Sequence, residues 1–330
     1  MRLSRERLLA AAASTGFRAD VLEKVTVLLD LLNGLNRQRL VSSKLALKGG
    51  TALNMFFFDT PRLSVDIDLN YVGARDRSTM MAERQPTIDT IKDVSSEMGL
   101  TLQNLAPNYA GVIMGFRYAS ALGRTGNIKV DVNFMYRVPL WPPHRQSSRL
   151  LATYQAENAL LLDIHEIAAG KLAALFARRA SRDLFDTYNL FRNCALDSAK
   201  LRLAFVVYGA SNIYDWRRVN PGDLGRAAQD IEANLLPLLR PTVVAGIPGP
   251  AGWGRAMVSE CQAAIDSVLP FTQAEIAFLD SVLDYGEIRP EFLTGDTEMI
   301  ERISCNPALQ WKTLNVRQHK PKTRRVSPDA

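Results

Sequence analysis

"LALKGGTALNMFFFDTPRLSVDIDLNYVG", residues 45–73, places two glycines, a threonine and two aspartates in a largely apolar stretch. "KLALK" predicts a short strand, and "GGTALNMFFF" predicts a turn that continues as a buried helix. "LSVDIDLNYV" alternates in hydrophobicity and predicts a second strand, with Ser64, Asp66 and Asp68 on one face. Because buried carboxylates are unfavourable without compensation, this pair needs a positively charged partner.

The two aspartates are spaced for cation binding. At a rise of about 3.3 Å per residue, the Cα atoms of Asp66 and Asp68 lie roughly 6 to 7 Å apart, so both carboxylates can reach one ion. Magnesium binds a few carboxylates together with waters and substrate phosphates. We therefore predict that Asp66 and Asp68 bind Mg²⁺, with Mn²⁺ as a substitute ion.

A third carboxylate is predicted on a neighbouring strand. "GVIMGFRYASAL" and "NIKVDVNFMYRV" flank "GRTG", residues 123–126, a pattern that predicts a β-hairpin. In the second run Val130 and Val132 face away from Asp131, which therefore opens onto a surface like that of the first pair. Asp131 as a third metal ligand would permit a two-metal arrangement for phosphoryl transfer.

The "KGGT" segment is suited to a triphosphate. Gly49 and Gly50 let the backbone approach phosphate oxygens, and unpaired amides after a strand can donate to them. Lys48 supplies a positive charge and Thr51 a hydroxyl donor, so we predict that all four residues bind a nucleoside triphosphate. The spacing is neither that of a Walker loop nor that of a dinucleotide-binding loop. Alone, such a segment is most often an ordinary turn with a helix cap.

Taken together and in this order, these elements resemble the DNA polymerase beta-type nucleotidyltransferase superfamily. More narrowly, "LKGGTALNMFF", "RLSVDIDLNYV" and "HEIAAGKLAALFARRASRDLFDTYNL" resemble the AbiEii/AbiGii toxin family, which includes the mycobacterial MenT toxins. The resemblance covers roughly residues 40–195. It implies that Lys171 and Asp186 match the family's motif lysine and last motif aspartate, and join Asp66 and Asp68 as catalytic residues.

Two of these assignments have structural alternatives. Lys171 could be a surface lysine whose stem packs on an apolar helix face. Asp183 and Arg182, close to Asp186 in the sequence, could form a structural ion pair.

Ser64 is predicted to contact the nucleotide and to regulate the site. In some family members that the sequence resembles, a kinase-like antitoxin phosphorylates the equivalent hydroxyl. A phosphate at Ser64 would add roughly two negative charges beside the metal ligands and repel a triphosphate. Alternatively, Ser64 only donates a hydrogen bond to Asp66.

Composition narrows the class of protein. The chain has 330 residues, 47% hydrophobic and 22% charged, as in ordinary globular proteins. Three widely spaced cysteines argue against a disulfide framework and a thiolate zinc site, and three scattered histidines argue against a histidine metal cage. Any metal is therefore expected on oxygen ligands. No apolar run approaches the roughly 20 residues of a membrane span, so we predict a cytoplasmic protein without membrane contact.

The pattern along the chain predicts an α+β fold. Residues 1–155 are predicted to form a polymerase-beta-type nucleotidyltransferase domain, with a small mixed sheet and flanking helices. Residues 156–316 are predicted to form a mainly helical domain that contributes Lys171 and Asp186, and residues 317–330 a basic flexible tail. Helical patterns are read over residues 2–40, 79–100, 160–201, 221–240 and 272–286, and a loop over residues 241–254.

The charge balance favours a polyanionic partner. The net charge is +6 and the sequence pI is about 9.3, with a cationic cluster in "VRQHKPKTRRVSPDA", residues 316–330. This segment could contact phosphates or serve only as a solvated extension.

The predicted function follows from the motifs and the resemblance. We expect a Mg²⁺-dependent nucleotidyltransferase toxin that adds nucleotides from an NTP to the 3′ acceptor end of tRNA and so blocks translation. The resemblance also implies a cognate antitoxin encoded by an adjacent gene. Two alternatives stay open: nucleotidyl transfer to a small-molecule or protein hydroxyl, and a non-catalytic module of the same fold.

Overall fold

A mixed sheet forms the N-terminal half of the protein, seen in a computed structural model that describes residues 4–319. Within that range seven strands are hydrogen-bonded in the order β3, β4, β5, β2, β1, β7, β6. The strands are β1 (Leu45–Lys48), β2 (Asp66–Tyr71), β3 (Thr101–Pro107), β4 (Gly111–Ala119), β5 (Thr125–Asn133), β6 (His144–Gln146) and β7 (Ala159–Leu161).

The register of the central strands brings polar side chains together. β2 pairs with β1 in antiparallel orientation and sets Lys48 opposite Asp68. β2 also pairs with β5 in parallel orientation and sets Asp131 beside Asp68 and Lys129 beside Asp66. Because side chains alternate along a strand, these residues share one face of the sheet, while Ile67, Leu69, Val130 and Val132 fill the core on the other face.

Helices cover the sheet and make up the C-terminal half. The α-helices are α1 (Arg5–Thr15), α2 (Ala19–Asn36), α3 (Gly49–Ala52), α4 (Arg77–Glu97), α5 (Ile164–Arg178), α6 (Ser181–Asn193), α7 (Ser198–Ala210), α8 (Pro241–Ala245), α9 (Pro250–Ile265), α10 (Gln273–Asp280), α11 (Thr297–Ser304) and α12 (Pro307–His319). Shorter π or 3-10 segments are Leu53–Phe57, Trp216–Arg218, Pro221–Ala228, Ile231–Leu235, Leu236–Leu238, Ser281–Tyr285 and Pro290–Phe292. No helix within residues 4–319 is long and apolar enough to cross a membrane.

The predicted α+β fold and the predicted hairpin are confirmed, with β4 and β5 flanking residues 120–124. The first predicted helix is two helices, because Gly16 adopts φ 76° and ends α1. β2 is shorter than the second predicted strand. It begins at Asp66, so Ser64 precedes it. β3, β6 and β7 were not predicted, and β7 pairs with β1, so the sheet extends past the predicted boundary at residue 155.

The C-terminal half differs from the predicted pattern in three places. Residues 221–240 form short 3-10 and π segments instead of one helix, and Pro237 cannot donate a helical hydrogen bond there. Residues 241–254, predicted as a loop, contain α8 and the start of α9. Arg317, the first residue of the predicted tail, lies in α12, and residues 320–330 fall outside the described residues.

Aromatic rings fill the core of the helical half around Trp216. The fully buried indole packs against Phe205 and Phe176, with ring centroids 5.1 Å and 5.9 Å away. Gly209 in α7 makes room for it, because a Cβ at this position would lie 1.9 Å from Trp216 Nε1.

Gly209→Ala should therefore lower the melting temperature, since overpacking a rigid core costs about 1–3 kcal/mol. Gly252→Ala in α9 is the matched control, because no atom beyond its chain neighbours and the backbone of its own helix lies within 4 Å of the added Cβ. Alanine is the better helix former by up to about 1 kcal/mol, so the control should melt at or above the wild-type temperature. Equal shifts in the two variants would contradict this packing.

Glu166 on α5 is a buried carboxyl that ties α5 to α7. It is 2% exposed, and it accepts hydrogen bonds from the Tyr208 hydroxyl at 3.1 Å and from the Trp141 main-chain N–H at 3.3 Å. Burial raises the pKa of Glu166 to about 7, although the hydrogen bonds oppose the rise. The folded protein therefore holds a proton that the unfolded chain releases near pH 4.5.

This difference in proton binding contributes to the free energy of unfolding. The contribution is fully present below about pH 4.5 and is lost as the pH rises to about 7. Glu166→Gln should remove this part of the decline in melting temperature across that range. Glu97→Gln, an exposed change on α4, should keep the wild-type decline. A Glu166→Gln profile parallel to that of the wild type would refute the assignment.

Candidate active site

Three carboxylates, those of Asp66, Asp68 and Asp131, lie on one face of the central strands, which we call the carboxylate face. Asp66 and Asp68 come from β2, Asp131 comes from β5, and all three are half-buried. Burial raises the pKa of Asp66 and of Asp131, and the negative charge of Asp68 adds to both shifts. The face is therefore strongly favourable for a cation.

Two lysines of the same face already approach these carboxylates. Lys129 Nζ lies 3.9 Å from Asp66 Oδ2. Lys48 Nζ lies 5.6 Å from the centroid of the Tyr136 ring. Burial lowers the pKa of Lys48, while the charges of Asp68 and Asp131 oppose that change. Lys48 thus places a positive charge beside the carboxylates, directly before residues 49–52, which form the single turn of α3 and which we call the glycine turn.

Magnesium could bind this face through two carboxylates or through three. Among residues 4–319, no three histidine, cysteine, aspartate or glutamate side chains come close enough together to hold a metal ion. The predicted site with Asp131 as third ligand is therefore not preformed in the described part of the chain. Magnesium often binds through one or two carboxylates, with waters and substrate phosphates completing its shell, and Asp66 and Asp68 fit that mode.

One side of the glycine turn packs closely against the carboxylate face. Gly49 has φ 73°, a conformation that favours glycine, and a Cβ there would lie 2.5 Å from Asp68 Oδ2. On the other side, a Cβ at Gly50 would lie 2.8 Å from Arg62 Nη2 and 2.9 Å from Ser64 Oγ. Any larger residue would push these groups apart, so both glycines are needed for the close approach.

Behind the turn lies a buried charge cluster, which we define as Arg62, Lys171, Asp183 and Asp186. Arg62 donates two hydrogen bonds to Asp186, from Nε at 2.8 Å and from Nη2 at 2.6 Å. Lys171 Nζ lies 3.0 Å from Asp186 Oδ2 and 3.0 Å from Asp183 Oδ1. Asp186 is 0% exposed and Arg62 is 3% exposed.

Protonation in this cluster follows from its charges. Burial alone would raise the pKa of Asp186, but Arg62 and then Lys171 hold it well below its usual range. Burial would lower the pKa of Lys171, but Asp186 and Asp183 raise it. Asp186 is therefore ionised and Lys171 is charged at neutral pH.

Asn54 connects the cluster to the turn. Its Nδ2 donates to Asp186 Oδ1 at 3.0 Å and to the Gly50 carbonyl oxygen at 2.9 Å. Helix α6, which carries Asp186, is thereby fixed to the turn that precedes β2. Sequence analysis missed Asn54 and Arg62, although an arginine inside the apolar segment before "LSVDIDL" was a signal that a buried acid lies nearby.

The site residues predicted on the helices, Lys171 and Asp186, are both buried. Lys171 is 8% exposed and paired with two acids, so the alternative of a surface lysine is wrong. The alternative ion pair between Asp183 and Arg182 is also wrong, because Asp183 pairs with Lys171 and Arg178. Arg182 instead lies close enough to Asp66 to counter the rise in its pKa that burial causes.

Thr51 and Ser64 frame the turn. The Thr51 hydroxyl donates a short hydrogen bond to the main-chain oxygen of Asp66, so it fixes the start of β2 to the turn. No hydrogen bond joins Ser64 to Asp66 in the described chain, and Ser64 instead stands over Gly50. Nine of the ten residues predicted for the site thus lie on the carboxylate face, in the turn or in the cluster behind it, and Ser64 lies against Gly50 of the turn.

Comparison with known proteins identifies the family and a similar fold. A family model described as nucleotidyl transferase AbiEii toxin, type IV toxin-antitoxin system, matches residues 30–237. A comparison with curated proteins found no match. Among solved structures, the fold is similar to that of MenT4, a nucleotidyltransferase toxin from Mycobacterium tuberculosis H37Rv, with a TM-score of 0.58 and 17% identity. That match covers 93% of this chain and 99% of the MenT4 chain. Because the family model spans more than half of the sequence, the chain belongs to the AbiEii family of nucleotidyltransferase toxins of type IV toxin-antitoxin systems.

Proposed function

We propose that the protein transfers a nucleoside monophosphate from an NTP to the 3′-hydroxyl of a tRNA acceptor end. The hydroxyl oxygen bonds to the α-phosphorus, the bond from that phosphorus to the pyrophosphate oxygen breaks, and pyrophosphate leaves. The observation that carries the proposal is the packing of Gly49 against Asp68, because it places a side-chain-free turn directly beside the carboxylate face. Extension of the acceptor end would prevent aminoacylation and stop translation.

The turn and Lys48 are assigned to the triphosphate. Gly49 and Gly50 leave no side chain between the backbone and a phosphate, and the half-buried Lys48 offsets negative charge beside them. Thr51 is assigned a positioning role, since its hydroxyl is engaged with the backbone of β2.

Asp66 and Asp68 are assigned to Mg²⁺. When bound, the ion would neutralise charge that develops on the reacting phosphate. Asp131 is the candidate acceptor for the proton of the attacking hydroxyl, because it lies in register with Asp68 and burial raises its pKa.

Lys171 and Asp186 are assigned to holding the site in shape. Both are buried, and both oxygens of Asp186 are occupied by Arg62, with Asn54 and Lys171 adding further contacts. This support fixes the turn in the position that the reaction needs.

Ser64 is proposed as the point where the cognate antitoxin acts. A phosphate on its hydroxyl would bring roughly two negative charges next to Gly50, where the triphosphate is proposed to bind. Transfer would then be blocked by repulsion and by loss of space.

The direct test is transfer from each labelled NTP to purified tRNA in the presence of Mg²⁺. Asp66→Asn and Asp68→Asn should each lower transfer more than about a hundredfold, because each removes a charge that is needed only for the reaction. Asp93→Asn, an exposed change on α4, should leave transfer unchanged. The folds should stay intact, as checked by melting temperature.

Transfer by either β2 variant within tenfold of the wild type would contradict the assignment. Label on protein or on a small molecule, with none on tRNA, would instead favour transfer to a different hydroxyl. In that case the carboxylate face would keep its role and the proposed acceptor would be wrong.

A further inference from the structure

The ammonium group of Lys48 lies beside the carboxylate face without an acid that holds it in one place. Lys48 is the last residue of β1 and pairs with Asp68, so its side chain lies on the same face of the sheet as that aspartate. Within residues 4–319, its Nζ forms no salt bridge and no hydrogen bond. A free lysine side chain has many rotamers, so a charge that is to meet a phosphate at a fixed position needs another support.

An aromatic ring is the neighbour that can support this ammonium. Lys48 Nζ lies over the ring of Tyr136, 5.6 Å from the ring centroid. Within about 6 Å, the negative face of an aromatic ring attracts a cation. Because the ring attracts the charge without neutralising it, Lys48 stays available to an anion.

The Tyr136 side chain is fixed at both of its ends. The main-chain N–H groups of Met135 and Tyr136 donate to Asn133 Oδ1 at 2.8 Å and 3.0 Å, in the turn that follows β5. The Tyr136 hydroxyl lies 3.0 Å from Ser211 Oγ, which donates to the main-chain oxygen of Tyr208 at 2.8 Å. Since Ser211 has one hydroxyl proton, Tyr136 is the donor of the hydrogen bond between the two hydroxyls.

A second tyrosine holds the plane of the ring. The rings of Tyr136 and Tyr208 are nearly parallel, with 9° between their planes and 5.2 Å between their centroids. Aromatic pairs at this separation attract each other. The Tyr208 hydroxyl donates to the buried Glu166 at 3.1 Å, which anchors the stacked pair between α5 and α7.

We propose that Tyr136 is a positioning residue for nucleotide binding, which holds the Lys48 ammonium where the triphosphate meets the glycine turn. The inference rests on the proposed function, in which Lys48 offsets the charge of the triphosphate. An acid in place of the ring could also hold Lys48, but it would cancel the charge and repel phosphates. A ring fixed by the core therefore suits a lysine that binds an anion.

The contact is tested first without nucleotide, by NMR of the protein labelled at its lysines. Protons over an aromatic face are shifted upfield, so the ε-methylene protons of Lys48 should resonate upfield of the ordinary lysine range. Lys48→Met identifies this signal by removing it. Tyr136→Leu should return the signal to the ordinary range, whereas Tyr136→Phe keeps the ring and should keep the shift.

The consequence is tested by direct binding of each labelled NTP with Mg²⁺ and without RNA. Lys48→Met should weaken binding at least about tenfold, as expected for the loss of one hydrogen bond to a charged group. Tyr136→Leu should weaken it at least about fivefold, and Tyr136→Phe should stay within about twofold of the wild type. Phe292→Leu is the matched control, because its ring lies 5.6 Å from the Arg289 guanidinium, and it should bind NTP as the wild type does.

The double variant Lys48→Met with Tyr136→Leu separates positioning from other roles. If the ring acts through the ammonium, the double variant should bind NTP within about twofold of Lys48→Met alone. Losses that add would mean that Tyr136 contacts the nucleotide itself or only shapes the fold, and would overturn the proposal. A Lys48 signal in the ordinary range in the wild type, or wild-type affinity in Tyr136→Leu, would overturn it as well.

A fluorinated ring covers the case in which Tyr136→Leu does not fold. Trifluorophenylalanine in place of Tyr136 keeps the shape of the ring but withdraws negative charge from its face. It should bind NTP about two- to fivefold more weakly than Tyr136→Phe. Equal affinity of these two variants would contradict the role of the ring.

The same measurements distinguish this inference from the proposed function. An upfield Lys48 signal and losses of NTP binding that do not add, in a protein whose wild type transfers no nucleotide to tRNA, would support the role of Tyr136 while the proposed acceptor fails. Transfer to tRNA by the wild type, with normal NTP binding in Tyr136→Leu, would support the proposed function and overturn the role of Tyr136.

Discussion

The carboxylate of Asp186 lies inside the protein, where it contacts Arg62, Lys171 and Asn54. Burying a charge costs several kcal/mol, and here two cations and an amide offset that cost. The contact joins parts of the chain that are distant in sequence: α6, α5, the segment before β2 and the glycine turn. Removal of one partner would leave an uncompensated buried charge, so these parts must assemble together.

Contacts on both sides of the glycine turn fix its position. Asn54 holds the Gly50 carbonyl from the side of the buried charge cluster, and Gly49 touches Asp68 from the side of the sheet. The turn is therefore fixed between two charged groups. On one side is the buried cluster, whose acids are paired with Arg62 and Lys171. On the other side is the half-buried carboxylate face, where burial and the charge of Asp68 raise the pKa of Asp66 and Asp131. In the proposed reaction, a phosphate that approaches the turn would meet the carboxylate face, whereas the buried charge cluster holds the turn in place.

Sequence alone could identify the carboxylate face, because an alternating strand places Asp66 and Asp68 together whatever the rest of the fold. It also indicated Asp131 through the hairpin. Lys171 and Asp186 were found by resemblance to the family, while their burial and their partner Arg62 depend on packing between elements more than a hundred residues apart. β7 was missed because its three residues are all apolar, so the alternation of their burial leaves no alternation of hydrophobicity in the sequence. The segments around residues 221–254 were misread because proline and glycine signals there interrupt several short helices without excluding them.

In the proposed mechanism, the buried pair of Arg62 and Asp186 is kept for the shape of the site and not for stability. The measurement is tRNA nucleotide transfer, at matched folded fraction, by the double variant Arg62→Met with Asp186→Leu. Apolar replacement of both members of a buried ion pair is often neutral or stabilising, so the double variant should be more stable than either single variant. Transfer should nevertheless stay at least about a hundredfold below wild type, because the turn has lost its support. Transfer restored together with stability would contradict this role of the pair.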